Sequence, residues 1–397
     1  MRLAIIGAVL LAAGAVAAVT GTLPAADLAA LVDRVAPILL FVVAMTVVTE
    51  LASEAGIFLW IARRFRHWGR GYSFLLWLFL AVFATLSTIF LSLDTTAVLL
   101  TPVVVSVTRQ AGLPPLPFAL MTVWLANTAS LLLPISNLTN LLAQHSLGGI
   151  SPAGFAALMW APSLAAVLVP LVFIALVFRR DLSKRYSRIP VGRVRPDAET
   201  GSSTAASTDR LLLGGTAVVL ALLLPALVSG VPVWIPAAAA ALVLGAVFAF
   251  RRPRVLKVQL VPWSLLLFAS GLFLVMETAR HLGASAFVGQ LAGTGESFPE
   301  LLRLAATGAA GSNVLNNLPA YLLAEPLAET PQRMAALLIG VNAGPLITPW
   351  ASLATLLWHD RLVRMNVLIT WRGYALFGLM VAPLTVVAAV LALAAAG

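Results

Sequence analysis

The chain has 397 residues, 61% of them apolar and only 10% charged, with a mean hydropathy of +1.00; this is more hydrophobic surface than one soluble core can bury, which excludes a soluble globular protein. It contains no cysteine, so disulfides, thiolate metal sites and thiol nucleophiles are excluded as well. The net charge of +10 raises nucleic acid as a partner, but basic residues of a membrane protein collect in its cytoplasmic loops, and their placement decides the matter.

The opening "MRLAIIGAVLLAAGAVAAVTG" has the length and small residues of a secretory signal, yet it runs straight into further apolar segments. It is expected to stay as a first helix, 3–21. Runs of about 20 apolar residues cross about 30 Å of hydrocarbon as helix. They predict further spans at 36–60, 116–146, 153–178, 211–229, 231–250, 260–281, 333–358 and 371–395. Because the runs are continuous rather than alternating, a β-barrel is excluded.

Two segments do not fit a single crossing. Residues 72–110 form two apolar arms around "LSLDTT" with Arg70 and Arg109 at the outer ends, and 300–328 form two shorter arms around "GSNVLNNLP". Both are read as re-entrant hairpins, since irregular backbone at membrane depth is tolerated only against protein or a cavity. Two spans are interrupted in mid-stretch, by "NTASLLLPISNLTN" (127–140) and "NAGPLITPWASLAT" (342–355), where prolines and a glycine stand among amides and hydroxyls.

With the N-terminus in the cytoplasm and the C-terminus outside, only Arg34, Arg280, Arg303 and Arg333 of the 25 Lys and Arg residues fall outside. The basic charge is therefore topological, nucleic acid is not expected as a partner, and a plasma (inner) membrane location follows. The polar stretch 179–210 reads as a flexible cytoplasmic linker between two halves.

The halves repeat. Asn127 aligns with Asn342 and Pro134 with Pro349, both at a spacing of 215, and "NLTNLL" falls on "SLATLL". Upstream, "LSLDTTAVLLTP" sits against "NVLNNLPAYLLAEP", and "TELASEAG" pairs with "METARHLG", matching Glu50 to Glu277 and Gly56 to Gly283; downstream, "AGFAALMWAP" pairs with "RGYALFGLMVAP". The first copy starts from outside and the second from inside, which makes the repeat inverted. The expected fold is an all-α polytopic membrane protein with an inverted-topology repeat, two re-entrant hairpins and two broken transmembrane helices. Its expected parts are 1–35, an N-terminal helix and outer loop; 36–178, the first repeat; 179–210, the linker; 211–259, a scaffold helix pair; and 260–397, the second repeat. Inverted repeats with discontinuous helices at matching positions point to a secondary transporter with a midplane site.

A helix stopped inside the membrane leaves free N–H groups on one stub and free C=O groups on the other, each expensive if unpaired. A bound polar solute or trapped water can satisfy them, and the competing expectation is that such Ser, Thr and Asn residues bond to the preceding turn or join helices. Asn127, Ser136, Asn137, Thr139 and Asn140 from one break, with Asn342, Thr348, Ser352 and Thr355 from the other, are the candidate binding groups. Asp94, at the tip of the first hairpin beside Thr95 and Thr96, is the candidate coupling residue, because a carboxylate at depth marks an ion or proton path. Its counterpart in the second hairpin is taken as Asn316, with Ser312, Asn313 and Asn317 beside it. Glu50, Glu54 and Glu277 lie near span ends, where pairing with a neighbour such as Arg280 explains them. The four histidines also fall at ends or in loops, so no metal site is expected, and no motif asks for a cofactor.

At "LDTTAVLLTPVVV" (93–105), "SNLTNLL" (136–142), "LNNLPAYLL" (315–323) and "GPLITPWASLATLLW" (344–358) the chain resembles the ArsB-type arsenite and antimonite efflux permeases. These belong to the ion transporter superfamily, which includes citrate and sodium/proton carriers. The resemblance covers nearly the whole chain and implies a scaffold portion, a moving portion built from hairpins and broken helices, and proton-coupled efflux of a small inorganic solute. It leaves open a soluble ATPase partner and a homodimer. There are departures: Leu93 stands where the family's tip commonly has Asn, Asn127 where an acid is frequent and Leu346 where a lysine is familiar; Glu50 and Glu277 are atypical, and the family's usual first helix has no counterpart.

Arsenite near neutral pH is mostly an uncharged trihydroxide that amides and hydroxyls can hold without a fixed cation. Citrate or phosphate would ask for Arg or Lys at the midplane, and none is found there, although helix N-termini alone can hold anions. The alternatives are a sodium/proton exchanger, with Asp94 and break carbonyls as ligands, or a carboxylate or inorganic-anion permease of the same superfamily, with a channel more distant. An intramembrane enzyme would need a zinc-binding H-E-x-x-H, paired aspartates or a serine with a basic partner at depth; the chain has none of these.

Overall fold

The computed structural model describes residues 2–186 and 209–396; most of the expected linker, 187–208, lies outside the described residues. Among the described residues the secondary structure is helical, with no β-strand. The first half contains α1 (Arg2–Val19), α2 (Ala25–Glu54), α3 (Ile57–Trp68), α4 (Ser73–Phe90), α5 (Leu93–Thr95) running through a π-helical turn into α6 (Thr101–Gln110), α7 (Leu116–Thr128), α8 (Leu138–Ser146), α9 (Pro152–Val177) and α10 (Arg179–Leu182). The second contains α11 (Arg210–Leu227), α12 (Trp234–Arg251), α13 (Trp263–His281), α14 (Ala284–Ala292), α15 (Phe298–Val314), α16 (Asn317–Ala324), α17 (Pro331–Ala343), α18 (Leu353–Arg364) and α19 (Trp371–Ala396). Seven of these, α2, α4, α9, α11, α12, α13 and α19, are long and apolar enough to cross a membrane. The protein is an all-α polytopic membrane protein.

Boundaries differ from expectation at α2. It begins at Ala25, not near 36, because Pro24 supplies an extended N-cap and Asp27 sits in the first turn, where the helix dipole favours an acid. At 30 residues it is about 45 Å long, more than the hydrocarbon needs, so its charged first turns stand clear of the apolar layer. It stops at Glu54 because Gly56 takes a left-handed conformation (φ 88°), and α3 continues as a separate amphipathic helix carrying Arg63, Arg64 and Arg66. At the other end of the linker, Asp209 caps α11. Its carboxyl is held below the usual range by the N–H of Leu212 and by Arg251 of α12.

The same order of elements recurs with matching backbone. Gly283 (φ 86°) turns α13 into α14 as Gly56 turns α2 into α3. Both hairpin tips hold a non-glycine residue in a region almost reserved for glycine: Ser92 at φ 140°, ψ 164° and Asn316 at φ 155°, ψ 160°. Such conformations cost about 1–3 kcal/mol each and persist only where the surroundings over-determine them. They correct one expectation. The strained caps pair Ser92 with Asn316, so Asp94 stands opposite Leu318 and has no polar counterpart in the second hairpin.

Two packing groups result. In one, α1 lies on α13 and α2 on α12, with α11 against α12; in the other, α7 packs on α4, α9 and α18, α15 on α16 and α17, α8 on α16, and α19 on α9, α15 and α17. Helices approach through small residues where lipid offers no hydrophobic drive. A Cβ added to Gly7 would lie 2.5 Å from the Phe268 nitrogen, and one on Gly271 2.5 Å from that of Leu11. Gly7→Val is therefore expected to lower the thermal unfolding midpoint in detergent, since overpacking costs about 1–3 kcal/mol. Gly245→Ala, which meets nothing within 4 Å, should leave the midpoint unchanged.

Candidate functional site

α7 and α17 each stop before a segment containing proline, which supplies no N–H to carry the helix on. The first break passes through extended Leu133 and the turn Pro134–Ser136 to Asn137 (φ −151°, ψ 145°), the N-cap of α8. The second passes Pro345 and Pro349 to Ser352 (φ −141°, ψ 138°), the N-cap of α18. The hairpin tips supply two more helix starts, capped by Ser92 and Asn316.

All four caps, Ser92, Asn137, Asn316 and Ser352, line one cavity of about 470 Å³. The opposite wall comes from the other packing group, through Met45, Thr46, Thr49 and Glu50 of α2 and Trp263 and Phe268 of α13. The cavity thus lies between the two groups. Four helix N-termini, each carrying partial positive charge, converge on it. At three of them the cap side chain accepts an N–H of its own helix, from Thr95, Thr139 and Leu318 respectively. The Ser352 side chain does not, so α18 starts without a side-chain cap and in its first turn only the Thr355 N–H is bonded, to the Ser352 carbonyl.

Of the residues singled out in the sequence, Asp94, Thr95, Asn137, Asn316, Asn317 and Ser352 reach the cavity wall. Two buried polar atoms in that wall have no protein partner: Oδ1 of Asp94 and the hydroxyl of Ser352. Among the described residues no Lys or Arg lines the cavity.

The other candidates stand behind the wall and brace it. Asn342 joins the breaks: its Oδ1 accepts from Asn137 Nδ2 (2.8 Å) and Thr139 Oγ1 (3.0 Å), and its Nδ2 donates to Asn140 Oδ1 (2.8 Å). Asn140 in turn donates to the carbonyls of Ser130 (2.7 Å) and Leu133 (3.0 Å), and Ser136 also donates to Ser130. In the second break Asn313 donates to the Gly344 carbonyl (2.9 Å) and accepts from the nitrogens of Ile347 (3.2 Å) and Thr348 (3.0 Å), while the Thr348 hydroxyl donates to the Asn313 carbonyl. Asn316 also serves here, donating to Trp350 O at 2.8 Å. Ser312 bonds within its helix, and Thr96 donates to Ser87 while accepting from Thr88. Asn127 donates to the Val123 carbonyl, leaving its Oδ1 without a partner, as is Thr355 Oγ1.

These bonds correct the expectation that the broken ends wait for a solute. Nearby amides and hydroxyls reach most of the exposed carbonyls and nitrogens first, while among the described residues the start of α18 and the carboxyl groups of Asp94 and Glu50 stand in the cavity wall without a hydrogen-bond partner. Sequence reasoning set Glu50 aside as a span-end residue, whereas it lines the cavity with Thr46 and Thr49. The signal was available: 46, 49 and 50 fall on one helical face. The pairing assigned to Glu277 with Arg280 is present.

A family model described as "Citrate transporter" (CitMHS) matches residues 2–355. The chain belongs to the citrate transporter family. Within that family breadth, the "Arsenical pump membrane protein" of Escherichia coli K12 is 28% identical over 362 residues, covering 85% of this chain and 81% of its own. That of Yersinia enterocolitica is 28% identical over 363 residues with the same coverage. A multi-pass membrane transporter is thus the function class of this citrate-transporter-family chain.

Residues in one hydrogen-bond network couple by about 0.5–3 kcal/mol. Asn140→Ala and Asn342→Ala are each expected to lower the thermal midpoint, and the double variant to lose clearly less than their sum. Additive losses would show that the breaks are not joined through this amide pair.

Proposed function

We propose that this citrate-transporter-family member exports arsenite or antimonite from the cytoplasm across the plasma membrane in exchange for protons, by alternating access between the two packing groups. One observation carries the reading. Among the described residues the cavity wall holds a carboxylate with no hydrogen-bond partner and four helix N-termini, without a single Lys or Arg. A neutral trihydroxide matches both kinds of group, because it can donate to Asp94 and accept from the first turn of α18 and the Ser352 hydroxyl. A tricarboxylate would meet Asp94 and Glu50 with no fixed cation to offset them. A bare sodium ion would face partial positive charge from four directions.

Asp94 is the coupling residue in this reading. Protonation of Asp94 from outside would remove the acceptor that holds the substrate, and return of the empty, protonated site to the cytoplasm would restore it. Thr95, Asn137, Asn316, Asn317 and Ser352 are the proposed wall contacts, while Asn342, Asn140, Thr139 and Asn313 position them. The inverted-repeat division, with 36–178 and 260–397 as its copies, supports alternation because it gives two related ways to close one site. The cavity rim at Gln259 adjoins the basic loop that includes Arg252, Arg254 and Lys257, so under the positive-inside rule it faces the cytoplasm, where an exporter loads.

Inverted vesicles with an imposed pH gradient test the assignment. Asp94→Asn is expected to abolish uphill arsenite accumulation while preserving arsenite counterflow; accumulation at the unaltered rate would contradict the coupling role. A parallel uptake assay with citrate is expected to give no gradient-driven signal.

A further inference from the structure

The opposite end of α2 carries a buried polar cluster that the transport cycle above does not use. Arg34 is ion-paired with Glu325, at the end of the second hairpin. Ser146, the last residue of α8, donates to the same carboxylate oxygen at 2.5 Å and accepts from Arg34 at 3.2 Å, and Tyr321 of α16 donates to it at 2.9 Å. Glu325 is only 9% exposed. The cluster therefore bolts α2, from one packing group, to α8 and the second hairpin, from the other. The ion pair of Glu277 and Arg280 on α13 lines the same small crevice.

Arg34 and Glu50 are sixteen residues apart, about 24 Å along the helix. The cavity wall on α2 runs from Leu39 to Glu50. Its exposed rim, Gln259 and Trp263, lies at the Glu50 end, where Arg252 reaches the Glu54 carbonyl. The cavity is shut at the Arg34 end and open at the other.

The open end holds the parts of a similar bolt, unassembled. Arg361 of α18 occupies the position that repeats Ser146, at the same spacing of 215 that relates Asn137 to Ser352. It is the cation whose field reaches Glu50, yet the two make no ion pair. We propose that Arg34–Glu325 and Glu50–Arg361 are reciprocal latches: the first holds the outer end closed while the cavity faces the cytoplasm, and the second assembles as the first opens. This rests on the alternating-access reading, though not on the identity of the solute. Both pairs join the two packing groups at opposite ends of one helix, so a relative movement that closes one end separates the charges at the other.

The cysteine-free chain gives a clean background for accessibility measurements on the full-length protein in proteoliposomes without substrate. Leu142→Cys reports from beneath the outer latch and Thr46→Cys from the cavity wall. With both latches intact, a membrane-impermeant maleimide should label Thr46→Cys from the cytoplasmic face and leave Leu142→Cys protected from the outer face. Glu325→Gln or Arg34→Gln is expected to raise outer labelling of Leu142→Cys about tenfold or more, with Thr46→Cys labelling falling in step. The exchanged pair Arg34→Glu with Glu325→Arg should restore the original pattern, and Arg361→Gln should keep Leu142→Cys protected. Unchanged labelling in both single variants would overturn the proposal, as would a rise at both reporter sites together, which signifies loosening rather than exchange. Should neither single variant fold, Ser146→Ala and Tyr321→Phe keep both charges and are expected to shift labelling in the same directions to a smaller degree; no shift in them would equally overturn it. Correct labelling alongside uphill transport by Asp94→Asn would leave the latches standing and remove only the coupling assignment.

Discussion

Everything in this molecule follows from the need to give partners to backbone groups exposed where helices begin and end inside a low-dielectric layer. Four helices start at the same depth, and each start presents N–H groups that lipid cannot satisfy. The chain meets most of this demand internally, with side chains short enough to fold back onto the nearest amide. What remains unmet among the described residues, at Ser352 and Asp94, lies in the wall of a cavity between two packed groups of helices. Binding capacity here is the residue of an otherwise completed hydrogen-bond inventory.

On the proposed reading, the charge pattern of that cavity suits a solute other than the one in its family's description. A site for citrate needs cations or a large surplus of free donors, whereas this one has a buried carboxylate, a second at its rim, and only one uncapped helix start. Partial positive charge from the helix ends moderates the field of Asp94 without cancelling it. The balance favours a solute that is itself both donor and acceptor.

Much of the architecture was legible because it rests on strong signals. Apolar runs of span length fixed the helices, prolines fixed both breaks, and the spacing of 215 between Pro134 and Pro349 tied them together. The site was less legible, since polar residues clustered in sequence divide in space into wall and brace. Nothing in the letters "SNLTNLL" says that Asn137 faces the cavity while Asn140 turns away to hold two carbonyls; helix phase and the cap geometry decide that. The counterpart of Asp94 was misassigned for a similar reason. Chemical likeness suggested Asn316, but backbone register follows the strained cap, and a shift of two residues puts Leu318 there. The Arg34–Glu325 pair could not have been found from sequence, because its partners are 291 residues apart and belong to elements that no local pattern relates.

Arsenic is heavy enough to be located directly. Crystals of the protein grown with arsenite and measured at the arsenic absorption edge give the most direct test that the unsatisfied groups of Asp94 and Ser352 form the solute site. The account predicts a single anomalous peak inside the cavity, within hydrogen-bonding reach of the Asp94 carboxylate and the first turn of α18. A peak behind the wall near Asn342, one outside the cavity, or none at saturating arsenite would contradict it.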